Sequence, residues 1–205
     1  MVGLIGKKVG MSQYFMENGN VVPVSLIEAG PCPIVQIKDE KRDGYKAIQI
    51  SFGTRKKVNK PLGGHIKKAK LKTVARLIEI QVKNLDKYKV GDKLDVSIFS
   101  DGDKVSVTGW TKGRGFSGGI KRWGWSGGPM SHGSMSHRRI GSSGPGTSPG
   151  RIWKNKTMPG RYGHERVTVK NAEIMRIEKE KNMLYIKGAV PGPRNGYIIV
   201  VKKAE

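Results

Sequence analysis

A mainly β domain, a small barrel or sandwich, interrupted by a long basic segment with no core of its own, is the fold class the sequence predicts. Three observations lead there. Short runs of β-branched and aliphatic residues alternate with close turn signals. These runs lie on both sides of residues 104–164. Those 61 residues contain no Asp or Glu, yet hold 11 Lys and Arg, all four tryptophans and three of the four histidines.

Taken in order, "VVPVSLIEAG" (21–30) reads as a strand. "PIVQIK" and "YKAIQISF" flank the turn "DEKRDG" and suggest a hairpin. A helix is expected near 59–71, "NKPLGGHIKKAKL", with Pro61 in its first turn. "VKNLDKY" (82–88) suggests a further helical turn, and "YKVGDKLDVSIFSDGDKVSVTGW" two short strands divided by "SDGD". After the basic segment, "RVTVKNAEIMRIEKEKNMLYIKGAVPGPRNGYIIVVKK" gives three or four more, with turns at "EKEKN" and "PGPRNG". Closely spaced short strands argue a small barrel or sandwich. The 144 residues outside the segment suffice to bury a core. The expected organisation is one globular β domain from 1–103 and 165–205, with 104–164 as an extended loop.

A net charge of +23 destabilises a compact state by self-repulsion. A polyanionic partner is the simplest reason for it, and nucleic acid is the commonest such partner. The membrane alternative finds no run of about eighteen apolar residues. "MVGLIGKKVGMSQYFMENG" lacks the order of a secretory leader. The single cysteine, Cys32, excludes an internal disulfide framework and suits a reducing, cytoplasmic setting. No homo-oligomer is expected. The middle segment carries +11 over 61 residues against +12 over the other 144, about twice the density. A structureless loop of this length inside a compact domain needs a reason, and order imposed by a partner supplies one.

The segment invites three chemical readings. His132 and His137 stand five residues apart, but zinc needs three or four ligands, and the segment has no Cys, Asp or Glu. No metal or other cofactor is expected. Ser131, Ser134 and Ser136 flank the histidines, yet a triad needs an orienting carboxylate on a rigid frame. Acid–base RNA cleavage by the two histidines is the best enzymatic alternative. Neither "GKKVG" nor "GRGFSGG" has the spacing of a nucleotide-binding P-loop. What remains is the interleaving in "TKGRGFSGGIKRWGW", "SHRRIG" and "GRIWKNKTMPGRYGH". Lys and Arg neutralise phosphates, while aromatic and guanidinium planes stack on unpaired bases. RNA or partner contact is expected for Trp123 and Trp153. Trp110, beside "KVSVTG", reads equally as core. An unspecific nucleic-acid chaperone is the second class of function on composition alone.

"GLIGKKVGMSQYF", "GWTKGRGFSGGIKRWGW", "SHGSMSHRRIGSSG", "MPGRYGHERVTVKN" and "LYIKGAVPGPRNG" together resemble the bacterial large-subunit ribosomal protein L3 family, in family order and from end to end. The resemblance implies a small closed β-barrel of the translation-protein type with one or two short helices. It also implies a structural, non-enzymatic role: direct binding near the 3′ end of large-subunit rRNA and nucleation of subunit assembly. The long extension is implied to run towards the peptidyl transferase centre, with the fourteenth and nineteenth large-subunit proteins as neighbours. Carried over by motif, the RNA-facing residues of the extension are Lys112, Arg114, Lys121, Arg122, Trp123, His132, His137, Arg138, Arg139, Arg151, Lys154, Lys156 and Arg161. Lys7, Lys8 and Trp153 complete the expected set. One departure stands out. Arg161, in "MPGRYGH", occupies the place of a glutamine that some members methylate, so that modification does not carry over and a fixed positive charge replaces it.

Overall fold

The computed structural model describes residues 2–202, and they are mainly β. They divide into two compact units: one formed by the chain through Thr111 and again from Arg166, the other by Lys112–Glu165.

The first unit starts with β1 (Val2–Phe15) and β2 (Val21–Ala29), a long antiparallel hairpin. Next come β3 (Cys32–Lys38), α1 (Glu40–Asp43), β4 (Ala47–Phe52), α2 (Lys60–Lys67), β5 (Arg76–Gln81) and β6 (Lys93–Leu94). A single 3-10 turn, Val96–Ile98, precedes β7 (Lys104–Trp110). Beyond the second unit follow β10 (Arg166–Glu178), β11 (Met183–Lys187) and β12 (Tyr197–Lys202). β8 (Phe116–Ser117) and β9 (Gly160–Arg161) belong to the second unit.

Six of these strands pair antiparallel in the order β1, β12, β7, β10, β11, β2, and β2 pairs back to β1, so the ring is closed. β12 lies between β1 and β7, with Ile199 opposite both Ile5 and Thr108. The interior side of each strand is aliphatic: Leu4, Ile27, Val107, Ile174, Leu184, Ile186, Ile198 and Val200 are each fully buried or within 1% of it. Each such side chain contributes roughly 1.5–3 kcal/mol by leaving water. Ser25 and Thr108 interrupt the aliphatics, and each finds a partner, for Thr108 the hydroxyl of the exposed Thr168. Ser25 Oγ donates to the Gly188 carbonyl at 2.6 Å, and the two threonine hydroxyls share a 2.8 Å bond.

A four-stranded sheet in the order β5-β4-β3-β6 accompanies the ring. Alternation along β3 sends Ile34 into the main core and Val35 to the other face, where Ile66 of α2, Ala69 and Val74 cover it. The helix ends where Lys70 turns left-handed at φ 58° and Ala69 bonds back to the Ile66 carbonyl at 3.1 Å.

Several expectations meet corrections here. The acid-free segment opens at Lys104, but residues 104–110 are β7, paired on both sides, with Val105 and Val107 buried. Charge marks the segment's edge, whereas hydrogen-bond pairing decides where the strand stops. The turn "DEKRDG" contains a helical turn, α1, with Asp39 Oδ1 accepting from the Glu40 amide at 3.2 Å and Gly44 left-handed at φ 81°. Residues 82–88 make a turn closed by Tyr88 N–H to the Leu85 carbonyl at 3.0 Å, with no α-helix. Of the two strands expected around "SDGD", the first shortens to the two-residue β6 and a 3-10 turn. Among the described residues no helix is long and apolar enough to cross a membrane.

Candidate nucleic-acid interface

The second unit contains β8 (Phe116–Ser117), α3 (Gly119–Trp123) and β9 (Gly160–Arg161). β8 and β9 pair antiparallel, Phe116 opposite Arg161. The ribbon continues through Arg114 N–H to the Tyr162 carbonyl (2.8 Å) and Tyr162 N–H to the Gly115 carbonyl (2.9 Å). The Arg114 guanidinium lies 4.9 Å from the Tyr162 ring centroid, a cation–π contact. An exposed arginine and a half-buried tyrosine are thereby held in one place.

α3 is fixed by side chains that reach across more than thirty residues of sequence. Trp123 Nε1 donates to the Met158 carbonyl at 2.8 Å, and Arg122 Nη1 donates to the same oxygen at 3.0 Å. Arg122 also lies 4.9 Å from the Trp123 ring centroid. Trp125 Nε1 donates to Thr157 Oγ1 at 3.1 Å. The Trp125 ring covers Gly119 so closely that any Cβ there would run into it. Glycine at 119 is therefore a packing requirement and not a sign of disorder. Gly160 is similarly overlaid by the Arg122 guanidinium.

The stretch between α3 and β9 has little regular structure, yet it is locally braced. His137 Nδ1 is 2.9 Å from the Pro129 carbonyl, and Gly128 N–H donates to the His137 carbonyl at 3.0 Å. His132 takes a left-handed φ of 57°, with Gly133 after it at 73°. An open cavity of about 380 Å³ is lined by Ile120, Trp125, Arg139, Ile140, Lys156 and Met158 together with small residues.

Of the anticipated contact residues, Lys112, Arg114, Lys121, Trp123, His132, His137, Arg138, Arg139, Arg151, Trp153, Lys154, Lys156 and Arg161 are exposed, and Arg122 is half-buried. The unit gathers all fourteen. Trp123 keeps 49% of its surface open and Trp153 60%, although the first is also hydrogen-bonded and lies under the Arg122 guanidinium. Lys7 and Lys8 belong to the first unit, half-buried on β1. The Lys8 ammonium donates to the Val190 carbonyl at 2.9 Å, so it braces the 188–196 loop of its own unit. Trp110, on β7, is 37% exposed rather than core.

The residues that sequence reasoning missed are the braces: Trp125, Thr157, the Met158 carbonyl and Tyr162. Gly119 beside two tryptophans was the available signal, but nothing in a single sequence pairs it with one of them. Among the described residues no group of three or more His, Cys, Asp or Glu is arranged to hold a metal. An acid-free surface of this kind, with cations over aromatic rings and open indole faces, is suited to phosphates and unpaired bases.

Residues 38–183 match the family model described as Ribosomal protein L3. The large ribosomal subunit protein uL3 of Thermotoga maritima is 52% identical over 197 residues, covering 96% of this chain and 95% of the relative. The protein of that name from Carboxydothermus hydrogenoformans is 52% identical over 204 residues, covering 98% and 97%. The one from Heliobacterium modesticaldum is 50% identical over 200 residues, covering 97% and 95%.

Proposed function

The chain belongs to the ribosomal protein L3 family, and we propose on that basis that residues 112–165 form an rRNA-binding arm. The protein is a structural constituent of the large ribosomal subunit, a cytoplasmic ribonucleoprotein component, and not an enzyme. The closed ring of six strands supports reading the first unit as a barrel of the translation-protein type. On this reading the protein binds near the 3′ end of the large-subunit rRNA, nucleates assembly, and directs the arm towards the peptidyl transferase centre. The fourteenth and nineteenth large-subunit proteins are its neighbours.

One observation carries the reading. The second unit has no acid between Lys112 and His164, while its lysines, its arginines other than the half-buried Arg122, and the Trp123 and Trp153 indoles are exposed, with α3 held by bonds to the Met158 carbonyl. Ten positive charges between Lys112 and His164, with no acid among them and Glu165 alone at the unit's end, call for an external counter-charge, and phosphate supplies it. Open ring faces beside the cations favour loops and unpaired bases over a uniform duplex.

The test is subunit reconstitution with the parent chain and with a variant in which 112–165 is replaced by a short Gly-Ser connector. The variant should fold, as seen by far-UV circular dichroism, and should wash out of subunits at moderate salt. Its stoichiometric retention after the wash would overturn the arm's role.

A further inference from the structure

A second acid-free run lies in the first unit. Between Asp43 and Glu79 the chain has 35 residues with 10 Lys and Arg and no acid, denser in positive charge than 104–164 with 11 in 61. Its character differs, because no Phe, Trp or Tyr occurs from Gly53 to Ile78. α2 sits in the middle of it. At 100° per residue, Lys60, Gly64, Lys67 and Lys68 share one stripe, with Lys68 still helical at φ −58° and ψ −34°. Leu62 and Ile66 occupy the opposite side, where Ile66 is fully buried against the sheet. All four stripe residues are exposed. Among the described residues, the ion pairs involve other cations and leave these three lysines free.

The glycine in this stripe has no internal explanation. Each glycine inside a helix costs about 1 kcal/mol relative to alanine. A Cβ at Gly63 or Gly64 would meet nothing within 4 Å, and neither residue has a positive φ. Nothing in the fold requires the missing side chain. What glycine leaves is bare backbone between three cations, where another chain can come closer than any side chain would allow.

We propose that the Lys60–Gly64–Lys67–Lys68 stripe is a second docking face, and that its ligand is the sugar–phosphate backbone of double-stranded RNA. Lysines are compact point charges suited to phosphate, without the planar fork that reads base edges. No Phe, Trp or Tyr lies in residues 53–78, and the one ring of α2, His65, is held by Gln49 at 2.6 Å, so paired RNA recognised by shape and charge is the matching form. The stripe thus complements the arm: one surface for duplex, the other for irregular RNA. It stands on residues that the arm does not use.

The experiment titrates the full-length chain with a perfectly paired RNA hairpin over a salt series. The Lys60→Gln, Lys67→Gln, Lys68→Gln triple variant should lose about ten-fold in affinity and flatten the salt dependence by about one unit of slope per lysine. A control triple of the same charge, Lys83→Gln, Lys87→Gln, Lys89→Gln, changes exposed lysines elsewhere in the unit and should retain the parent's slope. Gly64→Gln should raise the melting temperature and yet weaken the hairpin complex several-fold, opposite signs that a folding defect does not produce. Equal losses in both triples would overturn the proposal. So would parent-like binding by Gly64→Gln, or stripe-dependent binding to anionic phospholipid vesicles in preference to the hairpin.

Discussion

The indole Nε1 of Trp123 donates to the carbonyl oxygen of Met158 at 2.8 Å, joining two residues 35 apart in sequence. That bond ties α3 to the approach of β9. Trp123→Phe keeps a ring but removes the donor, and should cost about 1 kcal/mol locally. Amide hydrogen exchange across 157–161 should then speed up in the second unit, with exchange in β7 and β12 unchanged.

Gly119 and Trp125 supply a sharper case. Alanine is the better helix former, so an unconstrained Gly→Ala inside a helix stabilises. Here the added methyl meets the Trp125 ring. Gly119→Ala should therefore loosen the second unit by about 1–3 kcal/mol. The readouts are a red-shifted tryptophan emission and faster proteolysis between 112 and 165.

Asp103 and Lys202 form an ion pair at 2.5 Å, which holds the Asp103 carboxyl below the usual carboxylate range with help from the Ser100 amide. Glu178 is held low by the Tyr185 hydroxyl. A lowered native pKa stabilises above the unfolded value, near 3.9 for Asp, and that contribution disappears as pH falls through the native value. Asp103→Asn should thus lower the melting temperature at neutral pH. Its melting curve should also fall less steeply than the parent's between about pH 5 and about pH 2.

Arg161 lies on β9 opposite Phe116 with its side chain exposed. If its charge meets phosphate, subunits carrying Arg161→Gln should release the protein at lower salt than parent subunits, by about one contact's worth of salt dependence. Unchanged salt tolerance would show that the charge is spectator to assembly.

The ring was legible where strands alternate cleanly. β7 reads "KVSVTGW", with Val105 and Val107 buried. β1 was not legible, because Gly3, Gly6 and Gly10 and the Lys7–Lys8 pair break the pattern. The structure gives the reason for two of them. A Cβ on Gly3 would come within 2.6 Å of the Val200 carbonyl oxygen, and one on Gly6 within 2.8 Å of Ile27 Cγ2. Close packing against both neighbouring strands demands the glycines that disguise the strand. The charge and openness of the second unit were likewise visible in composition. Its bracing was not, since Trp123 with Met158 and Trp125 with Thr157 are long-range pairs without a local signature. The α2 stripe had no such sign in the sequence: it carries neither aromatics nor arginines, and only the helix turn brings its lysines to one face.

The place of β12 between β1 and β7 has a consequence for timing. Until residues 197–202 have been synthesised, the other five strands form at most an open sheet whose two edges are β1 and β7. Open edges of this kind invite mispairing with other chains. Residues 112–165 leave the exit tunnel well before the strand that completes the first unit. The newborn chain therefore displays its acid-free arm while its globular half is still unfinished, and the last of the described strands to emerge is the one that locks the ring.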